Sequence, residues 1–297
     1  MKRIDFIKSV AFLPLIGSLS KLNAMNSILS EKDCSDPMPV LFVGHGSPTN
    51  AIENNEFSQK WFELGQKLPH PRAILCISAH WETNGTLVTA MEKPRTIHDF
   101  GGFQKELYEV IYPVPGSPEL ANETQTTVKA RQIKSDMSWG LDHGCWSVIS
   151  RMYPKADIPI IQMSLDVNSS PLDHYNLSKE LLPLRRKGIL ILSSGNMVHN
   201  LGMMSVRNWN NINEEFGFEW AYSANHLFKK YIDEHNHEKL INYDKLGTDV
   251  QKAIPTNEHF IPLLYSLALQ EEKDSISYFN DKAVAGSLTM TSVIINR

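Results

Sequence analysis

Residues 39–48 read PVLFVGHGSP. Four apolar residues, Val40 to Val43, stop at Gly44 and deliver His45 into the turn-forming Gly46-Ser47-Pro48. A short apolar run closed by turn residues predicts a strand buried on both faces. The pattern recurs downstream. Residues 73–77 end in Ser78-Ala79-His80-Trp81, and residues 158–165 form a third run broken only by Pro159, Gln162 and Ser164. A fourth run, 188–192, leads into SSGNMVH at 193–199. Helical patterns lie between the runs. Phe57, Trp61, Phe62 and Leu64 share a face closed by Pro69 and Pro71, and residues 177–184 read as a further helix. Continuous apolar strands alternating with helices predict an α/β fold with both sheet faces covered. No repeat or second-domain boundary follows Pro39, so the chain reads as an N-terminal segment over 1–37 and one domain over 38–297.

The 297 residues carry 29 Lys+Arg and 33 Asp+Glu, a net charge of −4, and are 42% hydrophobic and 21% charged. That balance belongs to a folded globular chain rather than a disordered one. With no basic block to neutralise phosphates, nucleic acid is excluded as a partner. Cys34, Cys76 and Cys145 form no CxxC pair, which argues against both a disulfide framework and a thiolate zinc site. At the N-terminus, Lys2 and Arg3 precede an apolar run at 10–19. This is the layout of an export signal, and the run is too short for a stable membrane span. Ile4 stands where a twin-arginine signal has its second arginine, and Ala24 ends a poor cleavage site. Read as a signal, the segment exports the chain; read as an amphipathic extension, it leaves the chain in the cytoplasm. Residues 30–39 read as a linker.

Ligands of open α/β sheets sit beyond the carboxyl ends of the strands. His45, His80 and His199 each follow the end of an apolar run, with glycine or serine nearby to permit tight turns. One such histidine is commonly a hydrogen-bonded loop residue. Three at the same topological place point to one shared ligand. A fourth, His259, stands in PTNEHF at 255–260. Thr256 or Asn257 is a candidate N-cap there, with Phe260, Leu263, Leu264 and Leu267 as the buried face of the helix that follows. His259 is then expected in the first helical turn. Glu258 and His259 would point about 100° apart, so only one should face the ion. Neutral imidazoles suit transition metals such as iron or zinc.

GHGSP (44–48), SAHW (78–81), HDFGGF (98–103), YPVPGSPELA (112–121), WGLDHGCW (139–146), SSGNMVHNL (193–201) and EHF (258–260) occur in this order. Together they resemble the LigB-type class III extradiol ring-cleavage dioxygenases, in the branch of the 4,5-DOPA extradiol enzymes. The resemblance runs from about Met38 to a C-terminal strand near 286–295. It implies a three-layer α/β/α sandwich of the phosphorylase/hydrolase-like kind and a mononuclear metal site. It implies His45, His80 and His259 as ligands. His259 stands where the protocatechuate-cleaving relatives have glutamate, a departure from the two-histidine, one-carboxylate triad. His199 matches an active-site base that this branch also counts as a fourth ligand. His143 matches a further active-site histidine, expected to donate a hydrogen bond to oxygen or substrate. The HDFGGF loop, with His98 and Phe103, is expected to line the substrate pocket.

The implied activity opens a catechol such as DOPA with O2 and needs a redox metal, Fe(II). Zinc accepts the same imidazoles but has no redox chemistry, so purified material is expected to carry it and to be inactive. Four histidines and a bidentate catechol would fill an octahedron. His199 is therefore expected to leave the ion during turnover and carry a proton, its unperturbed pKa being about 6.5. Two other functions use the same residues. A zinc hydrolase would turn over without O2. A non-catalytic metal-binding member of the fold would present a flat surface instead of a pocket.

Overall fold

A computed structural model of the protein describes residues 36–208 and 211–297. The segment expected to direct export, most of the linker and Cys34 lie outside them. The strands are β1 (Val40–Gly44), β2 (Ala73–Thr83), β3 (Leu87–Thr89), β4 (Lys134–Asp136), β5 (Ile160–Asp166), β6 (Ile189–Gly195), β7 (Ser275–Phe279), β8 (Ala283–Val284), β9 (Leu288–Thr289) and β10 (Ser292–Asn296). The helices are α1 (Glu56–Lys67), α2 (Lys105–Tyr108), α3 (Pro118–Thr127), α4 (His143–Met152), α5 (Pro171–Lys179), α6 (Leu182–Arg186), α7 (Glu219–Asp233), α8 (His237–Ile241), α9 (Thr248–Ala253) and α10 (Ile261–Leu267).

One sheet has the order β4-β3-β5-β2-β6-β1-β10-β7. Its centre is parallel, β5 to β2, β2 to β6 and β6 to β1, and β10 closes antiparallel on β1. Side chains alternate across it. Leu41, Val43, Ile74, Cys76, Leu190 and Leu192 pack with Trp61 of α1 and Trp146 of α4. Val40, Phe42, Leu75, Ile77, Ile189 and Ile191 pack with Phe228 of α7 and Leu263 and Leu264 of α10. Helices thus cover both faces, which is why these strands are apolar throughout rather than alternating. The α/β/α sandwich expected from the sequence is the observed architecture.

Three elements differ from expectation. The helix expected over 177–184 is two, α5 and α6, separated at Glu180-Leu181. Pro183 has no N–H to return to the preceding turn and its ring crowds that turn's carbonyl. β2 does not stop before His80 but continues to Thr83, with a register shift against β5 between Ile77 and Glu82. An irregularity of this kind re-aims side chains beside a site. His259 precedes α10 instead of lying in its first turn. Pro262 cannot donate back to Glu258, so regular helix begins only at Ile261.

Adjacency of the parallel strands β2, β6 and β1 places their carboxyl ends on one edge. The chain before α10 lies directly over that edge. The Asn196 N–H donates to the His259 carbonyl at 2.9 Å. A Cβ on Gly195 would lie 2.2 Å from the same carbonyl oxygen, so only glycine permits the approach.

Candidate metal centre

His45 leaves β1 with its backbone N–H on the Gly195 carbonyl at 3.1 Å. Its Nδ1 lies 2.9 Å from Ser194 Oγ, and that hydroxyl donates its own proton to the Gly144 carbonyl at 2.5 Å. Ser194 can therefore only accept from His45, which assigns the proton to Nδ1 and leaves a lone pair on Nε2. His80 has Nδ1 3.3 Å from Asp99 Oδ2 and His259 has Nδ1 2.9 Å from Glu258 Oε1. The same logic turns their Nε2 lone pairs inward. Carboxylates and hydroxyls behind ligating imidazoles are the usual means of fixing tautomer and ring orientation.

The rings converge. His45 and His80 face each other with Nε2 atoms 3.1 Å apart. Two lone pairs at that distance repel unless a cation lies between them, and each nitrogen would then sit about 2.1 Å from the ion. Ring centroids are 5.0 Å apart for His45–His80, 5.3 Å for His45–His259 and 5.0 Å for His80–His259. His199 stacks on His259 at 3.5 Å, nearly parallel. Its ring makes no hydrogen bond with a described residue. Donor atoms of His45, His80 and His143 lie within 4.8 Å of one another, and those of His199, Glu258 and His259 do likewise. The donor set fits one divalent transition-metal ion.

Electrostatics agree. Burial lowers His45 and His259 well below the ordinary histidine value, and the neighbouring imidazoles push the same way. Burial takes His80 to about 3 and His199 to about 4. All four are neutral near pH 7, the form that binds metal.

α4 supplies His143 at its first position. Asp142 caps this helix, accepting from the Cys145 N–H at 3.1 Å and from Ser78 Oγ at 2.7 Å, with the Gln162 side-chain amide on its other oxygen. The helix start is thereby pinned to β2 and β5. Burial raises the Asp142 carboxyl to about 6. Asp99 holds His143 twice, by its backbone N–H at 2.8 Å and by Nδ1 at 3.0 Å. Burial works against the charge on Asp99, and the bonds from His143 with His80 nearby outweigh it, keeping this carboxyl below its ordinary range.

A cavity of about 360 Å³ opens over the histidines, lined among others by His45, His80, Asp99, Phe100, Phe103, His143, His199 and His259. Phe103 lies where the sequence put it. His98 does not line this cavity: its Nε2 is bonded to the Val110 carbonyl at 3.0 Å, and the ring packs behind the wall against Phe100 and Trp146. Glu258 stands behind His259, with Oε1 on its Nδ1, so of the two neighbours the imidazole is the one that faces the other rings. Asp99 was missed by sequence reasoning, although it directly follows His98. Its signal was an acid inside a motif expected to line the substrate pocket.

Residues 37–292 match the family described as the catalytic LigB subunit of aromatic ring-opening dioxygenase. The 4,5-DOPA dioxygenase extradiol of Escherichia coli (strain K12) is 42% identical over 269 residues, 88% of this chain and 96% of that protein. The Beta vulgaris protein of the same name is 33% identical over 257 residues, covering 84% of this chain and 94% of that one. A crystal structure of an uncharacterized Escherichia coli K12 protein superposes with a TM-score of 0.73 at 36% identity, over 87% of this chain and 100% of the other. With a neutral histidine cluster under a cavity and a family match across nearly all the described residues, the chain belongs to the LigB family of aromatic ring-opening dioxygenases and is an extradiol, ring-cleaving oxidoreductase.

Proposed function

We propose that the protein opens the ring of a catechol such as DOPA, beside its diol, with O2 on one Fe(II) ion held by His45, His80 and His259. The tethering pattern carries this reading. Each of these three rings has Nδ1 on a fixed acceptor, Ser194, Asp99 or Glu258, so each offers Nε2 to a common point. Bound Fe(II) supplies open coordination positions and the one-electron chemistry that O2 requires. His199 is not tethered by any described partner, and burial keeps it unprotonated at neutral pH. It takes the proton from a catechol hydroxyl and later returns it to a product oxygen. His143, with Nδ1–H given to Asp99, presents Nε2 as an acceptor, so in its neutral form it receives a hydrogen bond from the second hydroxyl. That reverses the donor role expected from the resemblance. Phe100 and Phe103 wall the cavity and exclude water.

The test is anaerobic loading with Fe(II), addition of DOPA or another catechol, and admission of air. A coloured ring-fission product is expected, with one O2 consumed per catechol and none formed by zinc-loaded protein. His45→Ala should lose the metal. His199→Ala should keep it while turnover falls by roughly 10²-fold or more. Product formation with zinc, or without O2, would overturn the reading in favour of a hydrolase.

A further inference from the structure

We infer that Gln162 and Asp142 are positioning residues for ring cleavage: together they fix the His143 imidazole against His80 and so set where the second substrate hydroxyl is held. The inference rests on the catechol reading above, in which His143 accepts a hydrogen bond from that hydroxyl. It starts from a residue that its strand does not explain. Gln162 sits in the middle of β5, in the run Ile160-Ile161-Gln162-Met163, and is fully buried. Ile160, on the same face of the strand, packs in the layer of Trp146 on α4, and Cys76 of that layer lies beside Gln162 in register. An apolar side chain would fill this place without the desolvation that an amide suffers there.

Both ends of the amide are committed to one residue. Gln162 Oε1 accepts from the Asp142 backbone N–H at 3.2 Å, and Nε2 donates to Asp142 Oδ2. Asp142 Oδ1 accepts from Ser78 Oγ at 2.7 Å, and the same hydroxyl oxygen accepts from the His80 backbone N–H at 3.2 Å. One chain of bonds thus runs from Gln162 through Asp142 and Ser78 to the backbone of His80. The residue after Asp142 is His143, whose ring centroid lies 3.9 Å from that of His80.

Packing leaves this junction no slack. A Cβ on Gly144 would lie 2.5 Å from Ser78 Oγ and 3.0 Å from His80 Cδ2, so α4 meets β2 at a distance that only glycine permits. Asp99 orients the His143 ring, but the position of the whole residue follows the helix start that Asp142 caps. A buried carboxylate met by neutral donors is sensitive to the loss of any one of them. Moving it moves His143 relative to His80 and to the catechol, and a misplacement of about 1 Å is enough to cost turnover heavily.

Reversing the polarity of the pair tests this. Asp142→Asn turns an amide towards the Gln162 amide, and whichever way the two are turned, two donors meet. Adding Gln162→Glu restores every bond, with the charge moved to the strand. Gln162→Met keeps the bulk and removes the amide. On Fe(II)-loaded protein, kcat for DOPA in air is taken per bound iron, Kd for DOPA comes from anaerobic calorimetry, and each variant's melting temperature is recorded. Asp142→Asn and Gln162→Met should each lower kcat per iron roughly tenfold or more. Each should weaken anaerobic DOPA binding by about threefold or more, as a lost hydrogen bond does. The double variant should recover both to within about threefold of the unmodified enzyme. Single variants that melt earlier but keep kcat per iron and Kd would make the pair a stabiliser of the fold only and overturn the inference. So would a double variant that regains the melting temperature and not the turnover. Should Asp142→Asn fail to fold, Gln162→Met and Ser78→Ala decide between the same outcomes. If the unmodified enzyme opens no catechol, the ring-cleavage reading falls, and the binding comparison still decides this one.

Discussion

Asp99 concentrates the residue-scale logic of the centre. One carboxylate orients His143 through two bonds and stands behind His80. Removing its charge while keeping its shape should loosen both rings without emptying the site. Asp99→Asn is therefore expected to lower kcat by about 10- to 100-fold, the usual cost of disturbing a partner behind a ligating histidine. Most of the metal content should remain, because Ser194 and Glu258 still hold His45 and His259. Steady-state kinetics with metal analysis on the same sample check this, and unchanged kcat would remove Asp99 from a positioning role. The histidines were legible in the sequence because an imidazole after a strand is conspicuous. Their tethers were not, since Ser194, Asp99 and Glu258 are ordinary residue types whose role depends on which ring lies opposite.

Among the elements, β6 and the turn before α10 must touch for His259 to reach His45 and His80. Gly195 makes that contact possible, with the His259 carbonyl where a Cβ would be. Gly195→Ala is expected to destabilise the fold by about 1–3 kcal/mol, as overpacking does, because the obstruction is backbone that cannot rotate away. It should also push His259 from the centre and weaken metal retention. Urea unfolding with a metal assay measures both, and a full metal content at an unchanged midpoint would count against this close approach. The buried strands and the helices on both faces of the sheet followed from the apolar runs, and the strand order came only with the fold. The ends did not: β2 runs on through His80, and α10 starts after His259 because Pro262 removes one N–H. Boundaries of this kind depend on which partner strand or turn completes the hydrogen bonds.

For the molecule as a whole, the buried histidines set a pH dependence. Burial lowers His174 and His237 to about 4, as it does His199, and takes His80 to about 3. Unfolded, each would titrate at about 6.5. As pH falls through that value the unfolded chain takes up protons first, so stability is full above about 6.5 and declines toward 4. Asp142, raised to about 6, and Glu82, which burial also raises, oppose this, two groups against several. Metal-free protein should melt several degrees lower at pH 5 than at pH 7.5, at roughly 2–4 °C per kcal/mol lost. A melting temperature that held or rose at pH 5 would contradict buried neutral imidazoles.

The sequence by itself determined the layered α/β architecture, the edge of the sheet where chemistry occurs and the imidazole character of the site. Apolar runs and residues just past strand ends are local properties of the chain, and the order of its motifs is a property of the chain alone. Only the tertiary structure decided which partner each ring has, that Glu258 stands behind His259 and that His98 stands behind the wall. Those facts arise from segments far apart along the chain, such as Asp99 with His143 or Leu288 with His199, and they come into being only when the fold brings those segments within hydrogen-bonding distance.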